Sequence, residues 1–417
     1  MYYLYLIILL FFIILIFVKL YIKIKYKFWA YQPVFHKYNL FYKFFKTGII
    51  NNELPEINKY CNFCNVLVSD YEDLEENTLQ NMVDFLNTHY NEKNKKNEKN
   101  EKNENNENIN NSISLSNFSS YFIGTSKSFI SGYYGIEGSN LSGIMTTRPL
   151  NITLNKIPSF KLYYADFLCV HRDYKNKDII QELIQTHEYI QRHKNKKINV
   201  LLLKYKENLP GVIALTTYKT YQFEIKHIPK QPLPHASMQI IEINKQNIRL
   251  LITFIYSQKN KFNCFILPDM ANLLNLINNK TYIVYVIIQK NIILACYFFR
   301  DCYMQNKSIN KSADKSTDKS NDKSNDKSIQ ISRSINLIEC FASINNCQNE
   351  FFISGFYNAI KKINARLITI ENISHNNIMI NYLFLLNIIS KNKNKISYFL
   401  YNYIKNPILH DTIFILT

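Results

Sequence analysis

The chain opens with a run of apolar residues, 1–18, that contains no charge and no helix breaker. At about 1.5 Å of rise per residue, a helix of this length approaches the thickness of a membrane core. Lysines begin at Lys19, no acidic residue occurs before Glu53, and the cleavage signature of a signal peptide is missing. The positive-inside rule therefore predicts a single-pass membrane protein, anchored by residues 1–22, with its N-terminus outside and its catalytic part in the cytosol. An ordinary buried helix is the alternative, although such a helix would normally keep a polar face.

Beyond this run, the apolar positions alternate between the helical and the extended period. The helices are predicted at 78–90, 178–193 and 351–363. The strands are predicted at 129–136, 141–146, 163–170, 199–204, 281–289, 292–299, 366–370, 397–403 and 412–417. This alternation favours a mixed α/β fold in which each half of the chain is built on one sheet.

Two low-complexity segments interrupt the pattern. Residues 91–116 consist mainly of Asn, Lys and Glu, and residues 305–334 contain four Asp-Lys-Ser steps that are spaced four residues apart. Because neither segment carries an apolar face, both are predicted to be solvated insertions in surface connections, where added length costs little loop-closure entropy.

The formal net charge of +18 is concentrated in a few places. Residues 19–50 contain seven lysines and no acid, and the second low-complexity segment has seven basic against four acidic residues. Over half of the excess therefore lies outside the globular pattern, and no nucleic-acid partner is predicted from it. The lysines that follow the apolar run favour orientation of an anchor and contact with anionic membrane lipid.

Common catalytic motifs are absent from the sequence: there is no G-x-S-x-G, Walker A, G-x-G-x-x-G or H-E-x-x-H. The CxxC pair formed by Cys61 and Cys64 has no second pair to complete a zinc site, so reduced thiols and no metal are predicted. His187, Glu188 and His193 are interpreted as the solvated surface of a helix, since positions i and i+6 lie on different faces.

A strand, a basic loop and a helix follow one another between residues 163 and 193. The unpaired N–H groups and the dipole of a helix N-terminus favour an anion, and Lys175 and Lys177 add positive charge. The segment can hold a pyrophosphate without a glycine fingerprint. A strand–loop–helix connection with incidental lysines is the alternative on these residues alone.

Within this segment, the F-L-C-V-H stretch at 167–171 resembles the E-[IV]-N-F-L-C-x-H-K signature of the glycylpeptide N-tetradecanoyltransferase (N-myristoyltransferase) family. Asp166 and Arg172 replace the Asn and Lys of that signature. Residues 26–34, with the single Trp of the chain, resemble the family's F-W-x-T-Q-P-V segment, and further pieces follow in the family's order up to Thr417.

The resemblance implies two tandem GNAT-like acyl-CoA acyltransferase halves related by a pseudo-twofold. Residues 26–225 would bind acyl-CoA and residues 226–417 would bind the peptide. The implied reaction transfers a tetradecanoyl group from its CoA thioester, a co-substrate, to the N-terminal glycine amine of cytosolic proteins. The family uses no tightly bound cofactor, no metal and no covalent intermediate.

The resemblance also implies a set of site residues. The backbone amides of Phe167 and Leu168 would form the oxyanion hole, and the C-terminal carboxylate, here on Thr417, would be the base. The residues implied to contact CoA are Lys27, Phe28, Trp29, Phe167, Leu168, Cys169, Val170, Lys175, Asn176, Lys177, Asp178 and Ile180. The apolar end of the sequence is compatible with a buried carboxylate, and a closing strand with a solvated terminus is the alternative.

Several positions depart from the family pattern. Asp178 stands where the family has Arg, Lys204 stands where it has Thr, and the K-F-G-x-G-D-G signature appears at 388–394 without its glycines and its acid. These departures keep two alternatives open: a degenerate relative that binds acyl-CoA or a lipidated peptide without turnover, and another GNAT-type N-acyltransferase.

Overall fold

The computed structural model describes residues 2–39, 41, 44–90, 109–111, 113–135, 140–155, 157–171, 173, 178–206, 208–233, 235–301, 304–306 and 337–417. Most of both low-complexity segments lies outside the described residues, as do Lys175, Asn176 and Lys177 of the predicted CoA-binding loop. Two compact units are formed, each from separate stretches of the chain. Unit 1 comprises Met1–Glu72, Lys127–Tyr218 and Asn394–His410, and unit 2 comprises Asp73–Ser126, Lys219–Lys393 and Asp411–Thr417.

The described helices, in chain order, are α1 (Tyr2–Tyr26), α2 (Glu76–His89), α3 (Leu115–Ser120), α4 (Ile179–Lys194), α5 (Ile248–Ser257), α6 (Met270–Asn278), α7 (Asn349–Ile363) and α8 (Asn376–Leu385). The described strands are β1 (Gly48–Ile49), β2 (Val66–Asp70), β3 (Ile109–Asn111), β4 (Phe129–Tyr134), β5 (Leu141–Leu154), β6 (Phe160–Val170), β7 (Leu201–Lys206), β8 (Thr216–Glu224), β9 (Met238–Glu242), β10 (Cys264–Pro268), β11 (Tyr282–Gln289), β12 (Ile292–Asp301), β13 (Met304–Asn306), β14 (Leu337–Asn345), β15 (Leu367–Glu371), β16 (Lys393–Tyr401), β17 (Tyr403–Ile404) and β18 (Ile413–Ile415).

Unit 1 is built on a sheet with the strand order β2-β4-β5-β6-β7-β16. Its neighbours are antiparallel except for β6 and β7, which are parallel and are joined through α4. Helix α4 packs closely on this sheet, because a Cβ atom at Gly143 of β5 would lie 2.9 Å from the Cδ1 atom of Leu183. The helix and the sheet together bury the apolar core of unit 1.

Unit 2 repeats this arrangement. Its sheet has the order β9-β11-β12-β14-β15-β8, again antiparallel except for one parallel pair, β14 and β15, joined through α7. The core under α7 and α8 is formed by residues such as Phe299, Phe352, Phe356 and Ile368. A parallel pair of short strands, β10 and β18, completes the carboxyl end of the unit. The mixed α/β prediction is confirmed, and the strand order shows two tandem repeats. The functional division at residue 225 stays a prediction. The compact units do not follow it, because unit 1 includes Asn394–His410 and unit 2 includes Asp73–Ser126.

Most predicted elements agree with the observed ones within a few residues, but the strand predicted at 141–146 continues to Leu154. Helices α5, α6 and α8 and strands β2, β8, β9, β10 and β14 were not predicted. The hairpin of β11 and β12 turns at Lys290 and Asn291, whose φ angles of 50° and 62° suit a tight primed turn. The first predicted insertion extends too far, because Ile113 is buried and its backbone is held by the Asn87 amide. Ser114 caps α3 by accepting from the Asn117 N–H. These residues belong to the fold.

The prediction that His187 and Glu188 lie on a solvated helix surface is wrong. Both are buried, and His187 faces β4 and β5. The imidazole forms hydrogen bonds with the Ser131 and Thr147 hydroxyls, and burial lowers the pKa of His187 to about 3. Burial raises the pKa of Glu188 to about 7, partly opposed by the Arg192 guanidinium at 3.6 Å. Hydroxyl partners satisfy the buried imidazole, whereas Oε2 of Glu188 is buried without a hydrogen-bond partner among the described residues.

Helix α1 has no buried residue, and its apolar window has a mean hydropathy of 2.9. It is long and apolar enough to cross a membrane. Among the described residues, this is the one helix that meets both conditions.

Candidate functional site

A β-bulge interrupts β6 at Phe167 and Leu168. The pairing with β5 passes from Thr146↔Asp166 to Ile144↔Cys169, so that two residues of β6 stand opposite Met145. Phe167 has a φ of 48°, in the left-handed region that bulky residues rarely adopt. A bulge turns backbone groups away from the ladder, and strained backbone of this kind clusters at functional sites.

Hydrogen bonds from the neighbouring residues hold the bulge in shape. The Thr146 hydroxyl donates to the Asp166 carbonyl oxygen at 3.1 Å. The Phe167 N–H donates to the Asp166 carboxylate at 3.0 Å. The carboxylate therefore sits where an anionic ligand of that N–H would sit, and it must turn away before the Phe167 amide can serve as a donor to a substrate.

The same point of β6 is where the sheet of unit 1 opens. Parallel pairing with β7 runs from Tyr163↔Leu201 to Ala165↔Leu203 and ends there. Strand β6 nevertheless continues to Val170, and β7 continues to Lys206 along β16. The bulge thus lies at the vertex of a cleft between two diverging parallel strands. Such a cleft can admit an extended chain and offer it backbone hydrogen bonds.

The N-terminus of α4 lies beside the end of β6, because Ile179 and Val170 belong to one apolar cluster. Asp178 is the N-cap residue, and its side chain makes no capping bond. Its carbonyl oxygen accepts from the Gln181 and Glu182 N–H groups at 2.9 and 3.0 Å. The N–H groups before Gln181 belong to the first turn of the helix, and such groups are the donors that a helix offers to an anion.

The segment that resembles F-W-x-T-Q-P-V contains a 3₁₀ helix at Lys27–Tyr31, with a φ of 42° at Lys27. The Phe28 and Trp29 rings meet edge to face at 4.9 Å and are almost fully buried. They share an apolar cluster with the partly buried Leu168 and Ile180. The structure thus brings Phe28, Trp29, Leu168 and Ile180 together, but the two aromatic side chains fill the core of unit 1. Their contact with a ligand is therefore expected through the backbone.

Thr417 lies in unit 2 and is 2% exposed. Its carbonyl oxygen accepts from Nη1 of Arg300 on β12 at 2.8 Å. The same guanidinium donates from Nε to Glu339 at 2.6 Å and lies 3.4 Å from Glu371 through Nη2. Burial alone would lower the pKa of Arg300, but the two glutamates outweigh it and raise the pKa above its ordinary value.

Sequence reasoning missed this cluster of Arg300, Glu339 and Glu371. The available signal was a charged residue in or at the end of each of three apolar strands, since such residues are rarely buried unless they are paired. With three carboxyl-bearing groups around one guanidinium, no single carboxylate receives its whole positive charge.

Arg300→Met is expected to lower the free energy of unfolding of unit 2 by about 3–5 kcal/mol, because it removes the guanidinium that pairs with the buried Glu371 and the partly buried Glu339. Chemical denaturation of the full chain measures the change. Arg249→Met, at an exposed position of α5, is the matched control and should change stability by less than about 0.5 kcal/mol. Adding Glu339→Gln and Glu371→Gln to Arg300→Met should restore much of the loss. A stable single variant would contradict the role given to the cluster.

The described residues contain no group of three or more His, Cys, Asp or Glu side chains that could hold a metal ion. Cys61 is partly buried and Cys64 is exposed, and both are free thiols.

The repeated order of strands, the bulged strand and the splayed parallel pair define a tandem α/β fold. Comparison with solved structures identifies it as the fold of N-myristoyltransferase, which confirms the resemblance drawn from the residues. Saccharomyces cerevisiae N-myristoyltransferase with bound myristoyl-CoA matches with a TM-score of 0.66 and 13% identity, over 92% of this chain and 94% of that chain. The same yeast enzyme with bound myristoyl-CoA and inhibitors matches with a TM-score of 0.65 and 13% identity, over 94% of each chain. No family model and no curated protein sequence matches the chain.

Proposed function

We propose that the protein transfers a tetradecanoyl group from its CoA thioester to the N-terminal glycine amine of proteins. The observation that carries the proposal is the bulge at Phe167 and Leu168, at the vertex where β6 and β7 separate. It occurs in a fold shared with solved structures that hold myristoyl-CoA. A backbone donor at this position supplies what a thioester carbonyl needs when it becomes an oxyanion.

Acyl-CoA would lie along the diverging strands. The backbone at Lys27, Phe28 and Trp29 and at Cys169 and Val170 would hold the cofactor portion of the co-substrate. The first turn of α4, from Asp178 to Ile180, would face the pyrophosphate together with Lys175, Asn176 and Lys177. Asp178 opposes the phosphate charge, so the helix amides and the lysines must outweigh it.

In the proposed reaction, the glycine amine attacks the thioester carbonyl carbon and forms a tetrahedral oxyanion, which accepts hydrogen bonds from the Leu168 and Phe167 amides. The C–S bond then breaks, and CoA leaves as a thiolate. The proton of the attacking amine passes to the terminal carboxylate of Thr417, in a protein that ends at this residue. Arg300 donates to this terminus and also pairs with Glu339 and Glu371, so its positive charge is shared among three groups.

We also propose a location for the reaction. Helix α1 would anchor the protein, and the lysines that follow it would hold the catalytic part on the cytosolic side, in contact with anionic lipid. The protein substrates would then be cytosolic chains with an N-terminal glycine.

A transfer assay tests the function. The full chain in neutral-lipid nanodiscs is incubated with tetradecanoyl-CoA and a peptide that begins with glycine. Mass spectrometry should show the peptide heavier by one tetradecanoyl group, and the same peptide with an acetylated N-terminus should remain unchanged. Absence of transfer to a broad panel of glycine peptides would contradict the proposal.

A second candidate is a protein that binds acyl-CoA without turnover. The hydrogen bond from the Phe167 N–H to the Asp166 carboxylate favours it, since this bond occupies one proposed donor and places a negative charge beside the oxyanion position. Tight binding of tetradecanoyl-CoA without transfer would support this candidate. If Asp166→Asn then produced measurable transfer, the carboxylate would be identified as the block.

A further inference from the structure

A basic cavity opens on the surface of unit 2, between the 3₁₀ segment Ile225–His227 and the C-terminal end of α7. Its volume is about 620 Å³. The charged residues of its lining are Glu224, Lys226, Lys230, Lys361 and Arg366, with His227 beside them. A cavity of this size accommodates a small polar ligand, and four of its five charges are positive.

The single carboxylate does not neutralise the cavity. Glu224 forms ion pairs with Lys226, at 2.7 Å, and with Lys391. Two cations therefore share one negative charge. The charged ends of Lys230 and Arg366 have no ion-pair partner among the residues that the structure describes. The cavity presents an excess of positive charge to a ligand that approaches from solvent.

An exposed apolar tip stands next to this cavity. It consists of the end of α8 and the turn that follows, where Leu385 is 81% exposed and Ile389 is 88% exposed, with Leu386 between them also exposed. Backbone pairing joins this turn to β8, which leads into the cavity lining at Glu224, because the Lys391 N–H donates to the Gln222 carbonyl oxygen at 2.8 Å. The Lys391 ammonium itself reaches Glu224. Neighbouring exposed apolar side chains beside polar residues are typical of protein or membrane interaction sites.

We propose that this surface of unit 2 binds the phosphorylated headgroup of an anionic membrane lipid. The headgroup would occupy the basic cavity, and Leu385, Leu386 and Ile389 would enter the interfacial layer of the bilayer. The charge of the cavity is complementary to phosphate, and apolar side chains beside lysines are the combination that interfacial binders use. An acidic peptide would satisfy the cavity but would leave the apolar tip in water.

Two measurements on the full chain separate the parts of the proposal. Inositol 1,4,5-trisphosphate, a soluble probe, is titrated by calorimetry into the protein in phosphatidylcholine nanodiscs. Hydrogen exchange is then compared between nanodiscs with and without phosphatidylinositol 4,5-bisphosphate. The probe should protect residues 225–231 and 359–367, and the lipid should protect these segments and also residues 384–393.

Variants assign each effect. Lys230→Glu with Arg366→Glu should weaken probe binding by roughly 100-fold. The matched control is Lys245→Glu with Arg249→Glu, which makes the same charge change at exposed positions of unit 2 and should leave binding unaltered. Leu385→Ser with Ile389→Ser should keep the probe affinity and lose the lipid-dependent protection at 384–393.

Each opposite result is decisive. No probe binding, or equal weakening by the control pair, overturns the cavity assignment. Probe binding without lipid-dependent protection at 384–393 overturns the lipid assignment in favour of a soluble phosphate ligand. Protection of the cavity by an acidic peptide, but not by the probe or the lipid, also overturns it. The outcome is independent of the transfer assay, because it requires no turnover.

Discussion

Extension of the chain by a short Gly-Ser tail after Thr417 is expected to lower kcat for peptide acylation by about 10²–10⁴-fold, the contribution of a positioned general base. The tail converts the proposed base into a peptide carbonyl, which cannot accept the proton of the attacking amine. The residue is 2% exposed and its oxygen accepts from Arg300, so the tail must also emerge from a packed region. Single-turnover acylation of a glycine peptide, with tetradecanoyl-CoA bound beforehand, isolates the chemical step.

The controls for this prediction separate chemistry from packing. Thr417→Ser keeps the terminal carboxylate and should retain activity within a few-fold. Intact-mass measurement of the purified protein establishes that the tested chain ends at residue 417. The tailed protein should bind tetradecanoyl-CoA as tightly as the unmodified protein, because the CoA contacts proposed above belong to unit 1. Full activity of a folded, tailed protein would rule out the terminal carboxylate as the base.

The positions of many strands and helices follow from the sequence, although helices α5, α6 and α8 and strands such as β8 and β14 were not predicted. The hairpin of β11 and β12 was predictable because two short, nearly continuous apolar runs rich in β-branched and aromatic residues flank Lys290 and Asn291, and the turn residue Asn tolerates a positive φ. Strand β6 and helix α4 were predictable from their different periods and from the basic connection between them. The local pattern of apolar residues predicts these elements because each element is long enough to show the pattern typical of a helix or a strand.

The bulge was not visible in the same way. Phe167 and Leu168 continue an apolar strand pattern, and nothing in a side-chain period reveals that Phe167 has a φ of 48°. The position was indicated by resemblance to a family signature, and its geometry came from the pairing of β6 with β5. A backbone conformation that is imposed by neighbouring strands is not encoded in the local sequence. Glycine, the usual indicator of a positive φ, is missing at this position.

The buried charges were missed for a related reason. Sequence patterns give the face on which a residue lies but not the partner that would make its burial tolerable. Glu188 and Arg192 lie four residues apart on α4, a spacing equally typical of a solvated ion pair on a helix surface. Arg300 and Glu371 come from strands that are far apart in the chain, so their pairing depends on the order of strands in the sheet.

Leu168→Pro is expected to lower kcat for acyl transfer by about 10²–10³-fold, the loss measured when one oxyanion-hole donor is removed. Proline deletes the N–H of Leu168, and it also replaces the side chain and restricts the backbone at residues 167 and 168, so folding of the variant must be measured; a bulge is among the strand positions that accept proline. Leu168→Ala is the matched control, because it shortens the half-buried side chain but keeps the N–H, and it should stay within about tenfold of the unmodified protein. Affinity for tetradecanoyl-CoA and the unfolding midpoint are measured for both variants. Because the donor acts on charge that develops during the reaction, the proline variant should lose kcat while its KM for acyl-CoA changes little. Equal kcat in the proline and alanine variants, with both folded, would rule out the Leu168 amide as an oxyanion donor. The remaining candidate would be the amide of Phe167, which in the structure donates to the Asp166 carboxylate.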